Sequence, residues 1–231
     1  MNVLITGASR GIGFALTQQF IDHPQYRVLA ISRNTEELNQ LKEEHPNGDH
    51  LKVLRVDLSN SDLQDVFAVI QTWQQLDILI NNAGSLIHRP FEEISLSEWR
   101  ATFEVNFFSV VKLIHLLLPF LKKSKAAHIV NIGSMGGIQG SVKFSGMSAY
   151  SASKAALANL TECLAEELKI STVAVNCLCL GAVNTEMFQE AFPEFTAPIE
   201  SDEMAAFIYH FATTSHRFFN GKVLPVSSST P

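Results

Sequence analysis

A doubly wound parallel α/β sheet is the fold this sequence predicts, and three observations predict it. Short apolar runs of strand length alternate with longer helix-period segments almost from end to end. Several of those runs are apolar on both faces, as strands covered by helices on either side must be. The first run passes straight into a glycine-rich turn that opens a helix, and strand–helix alternation of this kind builds a parallel sheet.

The strand candidates are Val3–Ile5, Arg27–Ile31, Leu51–Val56, Asp77–Ile80, His128–Ile132, Val173–Leu178 and Lys222–Val226, about seven in all. Helices are expected near 12–22, 35–45, 61–73, 97–122, 151–169 and 201–213, covering both faces of the sheet. Ser97 before Glu98 and Ser61 before Asp62 read as helix starts, because a serine oxygen can accept an unpaired N–H of the first turn. No Pro/Ser-rich linker, repeat or low-complexity block divides residues 1–231, so a single domain is expected.

Composition bounds the function. The chain has 231 residues, 46% hydrophobic and 17% charged, which excludes intrinsic disorder. A net charge of −6 argues against a nucleic-acid partner held by a basic field. Three cysteines without a repeated Cys-x-x-Cys spacing suit a reducing cytoplasm better than a disulfide scaffold. Met1-Asn2 leads directly into an apolar strand, so no signal peptide is expected. The most apolar stretch, Val105–Leu121, carries Asn106, Lys112, His115 and Pro119, and is read as a buried helix with no membrane role. Cys177 and Cys179 alternate on one strand and are read as core packing; Cys163 is read as structural, and no metal site is expected.

The turn Thr6-Gly7-Ala8-Ser9-Arg10-Gly11-Ile12-Gly13 spaces its glycines as G-x-x-x-G-x-G. Missing side chains let the backbone turn sharply and approach a pyrophosphate, whose charge then meets free N–H groups at a helix N-terminus. The second strand ends in Ile31-Ser32-Arg33-Asn34, without the acid that would accept hydrogen bonds from an unmodified ribose. Arg10 and Arg33 are candidates for a cationic clamp on a 2′-phosphate, with Ser32 and Asn34 as added donors or acceptors, so NADP(H) is favoured over NAD(H).

With Asn81-Asn82-Ala83-Gly84 after the fourth strand and Tyr150-Ser151-Ala152-Ser153-Lys154 further on, the sequence resembles the short-chain dehydrogenase/reductase family, single-domain type, from residue 4 to about 226. That resemblance implies a Rossmann-type fold and an oxidoreductase that moves a hydride between a nicotinamide and a carbonyl or alcohol. It implies Tyr150 as the acid/base and Lys154 as its partner, also bonded to the nicotinamide ribose. Tyr150 and Lys154 are four residues apart and share a helix face. A phenol ordinarily titrates near ~10, so a nearby ammonium is expected to bring Tyr150 down towards working pH. By resemblance, Ser134 holds the substrate oxygen, and Asn106 positions a water linking the lysine to solvent. In Val56-Asp57-Leu58, Asp57 would hold the adenine amino group. Asn82, Ala83 and Gly84 would line the adenosine ribose. Gly181-Ala182-Val183-Asn184-Thr185 would hold the nicotinamide carboxamide, followed by a substrate flap over about 185–200.

Three departures from the family pattern stand out. Ser134 and Tyr150 lie 16 residues apart, a few more than usual, so a small insertion or bulged loop is expected between them, where Ser141, Ser145 and Ser148 are the alternatives to Ser134. Leu180 replaces the usual proline before Gly181, which is expected to loosen the loop that follows. The chain also lacks an Asp-Gly-Gly sequence after its last strand, reading Val226–Pro231 instead.

The flap is apolar (Met187, Phe188, Phe192, Pro193, Phe195) and acidic (Glu186, Glu190, Glu194), with Phe144 and Met147 facing it and His88 as the histidine placed to approach a substrate. A small apolar aldehyde or ketone is the substrate class expected. The alternative is a non-catalytic dinucleotide-binding sensor on the same fold. A serine hydrolase is excluded because Ile132 stands where its nucleophile elbow needs glycine. A methyltransferase is disfavoured by Ser32 and Arg33, where it wants an acid. The helices at 97–122 and 151–169 carry more apolar residues than one sheet face covers, so a homodimer or homotetramer is expected, with Phe103, Phe107 and Leu164 as seam candidates.

Overall fold

Seven parallel strands form the central sheet in the computed structural model, which describes residues 1–59 and 62–227. In chain order the elements are β1 (Asn2–Thr6), α1 (Gly11–Ile21), β2 (Arg27–Ser32), α2 (Glu36–Glu44), β3 (Leu51–Arg55), α3 (Gln64–Trp73) and β4 (Ile78–Asn81). They continue with α4 (Leu96–Phe103), α5 (Ser109–Leu121), β5 (Ala127–Ser134), α6 (Ser148–Glu167), β6 (Val173–Leu180), β7 (Val183–Asn184), α7 (Glu186–Ala191), β8 (Ile199–Glu200), α8 (Ser201–Thr214) and β9 (Val223–Val226). The sheet order is β3-β2-β1-β4-β5-β6-β9, so the winding reverses between β1 and β4. At such a switch point the loops leaving the two strands splay apart and open a crevice at the carboxyl edge.

Burial on both faces explains why these runs are strands. Every residue of β1, β4 and β6 is buried. Phe20 and Ile208 of α1 and α8 pack on one face with Val3, Ile5 and Ile80, while Val66, Leu113 and Leu157 of α3, α5 and α6 pack on the other with Leu4, Leu79 and Ile129. The segment Leu96–Leu121 is long and apolar enough to span a bilayer, and the buried apolar residues of α5, Leu113 and Leu117 among them, belong to this second core layer.

Two local expectations are corrected. The helix expected to start at Ser97 is capped by Ser95 instead: Ser95 Oγ accepts from the Glu98 N–H at 3.3 Å, and Glu98 Oε2 accepts from the Ser95 N–H at 2.9 Å. The single helix expected over 97–122 is α4 and α5 joined by a π-helical turn, Glu104–Phe108, which carries Asn106. Leu180, where a proline is usual, pairs with Ser134 of β5 and Val226 of β9, and the next residue, Gly181, donates its N–H to the Val226 carbonyl at 2.9 Å. The helix start expected at Ser61 and the terminal residues Ser228–Pro231 lie outside the described residues.

The expected flap is a defined excursion. Val183–Asn184 pairs with Ile199–Glu200 as a two-stranded clip, and α7 sits on the segment between them. Asn184 Nδ2 donates to Glu200 Oε2 at 2.9 Å, and Ser201 Oγ donates to the Asn184 carbonyl at 2.7 Å.

Candidate active site

The glycine turn is rigid and built from within. Gly7 and Gly11 have φ of +65° and +53°, conformations that exclude most side chains. A Cβ on Gly13 would lie 2.1 Å from the Gly7 carbonyl oxygen, so only glycine fits there. Asn82, expected to line a ribose, turns its side chain inward: Nδ2 donates to the carbonyls of Thr6 at 3.0 Å and Gly7 at 3.1 Å. Thr6 Oγ1 answers by accepting the N–H groups of Asn82 and Ala83. The β1 and β4 ends are thereby stapled together, and Ala83 and Gly84 are left facing the crevice edge. Arg10 gives α1 no side-chain cap, so the amides of Gly11, Ile12 and Gly13 stand at the positive end of the helix dipole as an anion cradle. A dinucleotide pyrophosphate fits that donor set.

At the end of β2 the Ser32 hydroxyl donates to the Asn34 carbonyl, and Asn34 Oδ1 accepts the Glu36 N–H at 3.1 Å. These two side chains brace the turn that carries the exposed Arg33. The turn abuts the glycine loop, since the Ala8 N–H donates to the Ile31 carbonyl. Arg10 is ion-paired with Glu190 of α7 at 3.3 Å. Asp57 Oδ1 accepts from the N–H and hydroxyl of Ser59, which shapes the turn after β3, and Leu58 beside it is buried. Val183 is buried at the root of the flap, below Thr185.

The catalytic candidates converge on the far side of the same crevice. Lys154 Nζ is 5.7 Å from the Tyr150 ring centre and donates to the Ile132 carbonyl at 2.7 Å. Ser134 closes β5, its Oγ accepting the Gly136 N–H at 3.2 Å. Gly84 ties the two halves together: a Cβ there would sit 3.7 Å from Lys154 Nζ and 3.6 Å from Asn106 Oδ1. Of the alternatives, Ser141 Oγ donates to the Met135 carbonyl at 2.6 Å and Ser148 opens α6, whereas Ser134 closes a strand of the sheet.

One role expectation changes. Burial pushes the Tyr150 phenol up to about 12, against a smaller downward pull from a Ser134 hydrogen bond, so desolvation overrides the lowering expected from the lysine. Burial also pushes Lys154 down to about 8. Tyr150 is therefore a neutral phenol over the physiological range, set up to donate a proton. Asn106 is wholly buried, and its amide is committed to protein: Oδ1 accepts the Ser85 N–H at 2.7 Å, while Nδ2 donates to the Ser85 carbonyl and to Ser153 Oγ, each at 2.9 Å. It fixes the loop after Gly84 to α6.

The long loop between Ser134 and Tyr150 is braced by Lys143, which sequence reasoning passed over. Its ammonium donates to the Gly136 carbonyl at 2.9 Å, the Ile138 carbonyl at 2.5 Å and Ser141 Oγ at 2.7 Å. A lone lysine in a Gly/Ser-rich loop is the signal that was available. Above this loop Phe192 anchors an aromatic cluster, with ring centres 4.8 Å from His88, 5.4 Å from Phe188 and 6.3 Å from Phe144. His88 Nε2 donates to the Ser145 carbonyl at 3.1 Å, so it joins the wall to the loop. Thr185 Oγ1 caps α7 by accepting the Phe188 N–H, and a hydroxyl so used can still donate. Cys177 and Cys179 lie 3.8 Å apart in the core, as expected, whereas Cys163 is exposed, contrary to its structural reading. Among the described residues no cluster of His, Cys, Asp or Glu could hold a metal.

A switch-point crevice with an anion cradle on one bank and a Ser–Tyr–Lys set on the other defines a nicotinamide-dinucleotide oxidoreductase. Residues 1–195 match the family described as short chain dehydrogenase. The NADP-dependent 3-hydroxy acid dehydrogenase YdfG of Escherichia coli K12 is 32% identical over 191 residues, 81% of this chain and 75% of that protein. The fatty acyl-CoA reductase of Acinetobacter baylyi is 31% identical over 214 residues, covering 90% and 71% respectively. Human retinol dehydrogenase 8 is 35% identical over 189 residues, covering 80% of this chain and 59% of its own. A solved 4-hydroxyisoleucine dehydrogenase complexed with NADH superposes with a TM-score of 0.86 at 26% identity, over 99% of this chain and 97% of that one. The chain belongs to the short-chain dehydrogenase/reductase family and is an NAD(P)-dependent oxidoreductase.

Proposed function

We propose that the protein interconverts a small apolar aldehyde or ketone and its alcohol using NADP(H), with Tyr150 as the acid/base. The observation that carries this reading is the meeting of Ser134, Tyr150 and Lys154, with Lys154 beside Gly84, at the crevice edge that the glycine turn also faces. A bound nicotinamide would supply or accept the hydride. The chain's own part is to hold the carbonyl oxygen and manage its proton. The Ser134 hydroxyl and the Tyr150 phenol both donate towards one oxygen, and they stabilise the negative charge that grows on it as the carbon is reduced. Tyr150 then gives up its proton, and Lys154, one turn along, steadies the phenolate left behind. In the oxidative direction the phenolate takes the proton back.

NADP(H) is supported by the absence of an acid at Ser32-Arg33-Asn34, by Arg33 standing exposed on a braced turn, and by the NADP-dependent relative. An apolar substrate is supported by the Phe144–Phe188–Phe192 wall, by Glu186, Glu190 and Glu194 in the flap, and by relatives named for retinol and fatty acyl groups. Assembly of copies is read on α4 and the π turn. There Trp99, Phe103, Phe107 and Phe108 form a ladder of rings 5.2–6.5 Å apart, and Leu96 and Phe108 are exposed. Phe103, Phe107 and Leu164, the seam candidates, are only partly buried.

The test is calorimetric binding of NADPH against NADH, followed by a carbonyl panel in the same buffer. Tighter binding of NADPH and turnover of medium-chain or aromatic aldehydes is expected. Good turnover of anionic carbonyls with no reduction of hydrophobic ones would overturn the substrate class. A sensor would bind the dinucleotide and reduce nothing.

A further inference from the structure

Arg10 and Glu190 meet at 3.3 Å across two segments that are 180 residues apart in sequence. Arg10 directly precedes α1 at the glycine turn, and Glu190 lies on α7 in the flap. A second contact joins the same segments: a Cβ on Gly11 would be 3.2 Å from Thr185 Cγ2 and 3.4 Å from Glu186 Oε2. The first residues of the flap therefore rest on the phosphate cradle, and the ion pair holds the far end of its helix over the same turn. Both charged side chains are exposed, at 48% and 68%, so either can change partner without desolvation.

We propose that Glu190 is a latch that a 2′-phosphate opens: it holds α7 to Arg10 until a phosphate on the adenosine ribose takes Arg10 from it. The inference rests on the reading that this chain uses NADP(H) with Arg10 at the 2′-phosphate. A phosphate offers the guanidinium fork two oxygens and up to two negative charges, whereas Glu190 makes one contact at 3.3 Å, so the exchange favours the phosphate. A dinucleotide without that phosphate offers Arg10 nothing, and the latch stays shut. Linkage makes the effect reciprocal, so whatever the phosphate contributes to freeing the flap, the intact latch subtracts from phosphate affinity. An exposed ion pair limits the effect to about 2- to 5-fold in affinity.

The probes are adenosine 2′,5′-bisphosphate and 5′-AMP, read by calorimetry and by hydrogen–deuterium exchange over 186–191. Wild type should exchange faster across α7 with the bisphosphate and not with AMP. Glu190→Gln, an exposed change of equal size, should exchange fast without ligand and bind the bisphosphate about 2- to 5-fold tighter, with AMP unchanged. Equal tightening of both probes, no tightening, or a bisphosphate that leaves α7 exchange unmoved in wild type would overturn the latch. If wild type shows no preference for the bisphosphate and Arg10→Gln alters neither probe, the NADP(H) reading fails as well. If the preference exists and depends on Arg10 while Glu190→Gln leaves it intact, the latch alone fails.

Discussion

Asn106 grips Ser85 at both ends of one residue, accepting its N–H at 2.7 Å and returning a hydrogen bond to its carbonyl at 2.9 Å. The remaining amide hydrogen goes to Ser153, the residue before Lys154. Removing the side chain orphans two backbone groups and detaches the loop after Gly84 from the lysine helix. Asn106→Ala should cost about 1–3 kcal/mol in denaturant unfolding and lower kcat together with stability. Asn106→Asp keeps the acceptor but sets an oxygen against the Ser85 carbonyl, so it should not restore either. Stability within ~0.5 kcal/mol of wild type for both variants would show that the amide is not the clamp described.

His128 is locked neutral by its neighbours. Asn176 uses Oδ1 to accept the Lys222 N–H and Nδ2 to donate to the Phe219 carbonyl, so the same Nδ2 must also be the donor to His128 Nε2 at 3.0 Å. Nδ1 then carries the proton and gives it to the Ala212 carbonyl at 3.0 Å. Burial pulls the imidazole down to about 4 from its usual 6.5. Because the folded value is depressed, the unfolded chain binds a proton first as pH falls. Stability is full above about 6.5 and is lost between 6.5 and 4, by up to about 3 kcal/mol from this group. Unfolding at pH 7.5 and 4.5 should show that loss in wild type and a smaller one in His128→Gln.

Tyr150→Phe deletes the proton donor and little else. Turnover should fall at least about 100-fold, with calorimetric dinucleotide affinity within about twofold of wild type. A variant that keeps its turnover would remove Tyr150 from the chemistry.

Lys154 should set the alkaline edge of the reaction. Its burial places the loss of its charge at about 8, well before an exposed lysine would lose it. Carbonyl reduction, followed as kcat/KM, should therefore decline as pH rises through about 8. A flat profile up to pH 10 would contradict that placement.

Lys143→Met should loosen the turn after Ser134 without unfolding the protein, since the ammonium is exposed and its three oxygens belong to one loop. Substrate KM should rise several-fold with global stability within ~0.5 kcal/mol, and Lys143→Arg should recover part of the loss. On the outer surface, Phe108→Glu places a charge in the exposed ring ladder, and light scattering should show a smaller assembly than wild type.

The seven strands were legible because a strand buried on both faces reads as an uninterrupted apolar run, and the glycine turn because its positive-φ positions admit little else. The Ser134, Tyr150 and Lys154 positions were legible as a pattern, but their electrostatics were not. Whether the ammonium or desolvation governs Tyr150 depends on depth below the surface, which spacing does not encode. The capping-box spacing Ser95-x-x-Glu98 was present in the sequence and passed over for Ser97, and the Glu98 carboxylate realises it by accepting the Ser95 N–H. β7, β8 and α7 are too short to leave a period. The inward turn of Asn82 and the Asn106–Ser85 grip join residues 75 and 21 apart in sequence, partners that motif spacing does not encode.

The β7–β8 clip has a consequence for how such a chain can change. Its two posts, Val183–Asn184 and Ile199–Glu200, are tied to each other and to the first turn of α8, and Gln189 of α7 donates to Asn184 Oδ1 at 2.7 Å. Residues 191–198, past the contacts that Thr185, Glu186 and Glu190 make with the glycine turn, thus form the stretch whose length and greasiness can drift while the nucleotide platform beneath keeps its register, so new substrates are reached by rewriting eight residues and not by redesigning a sheet.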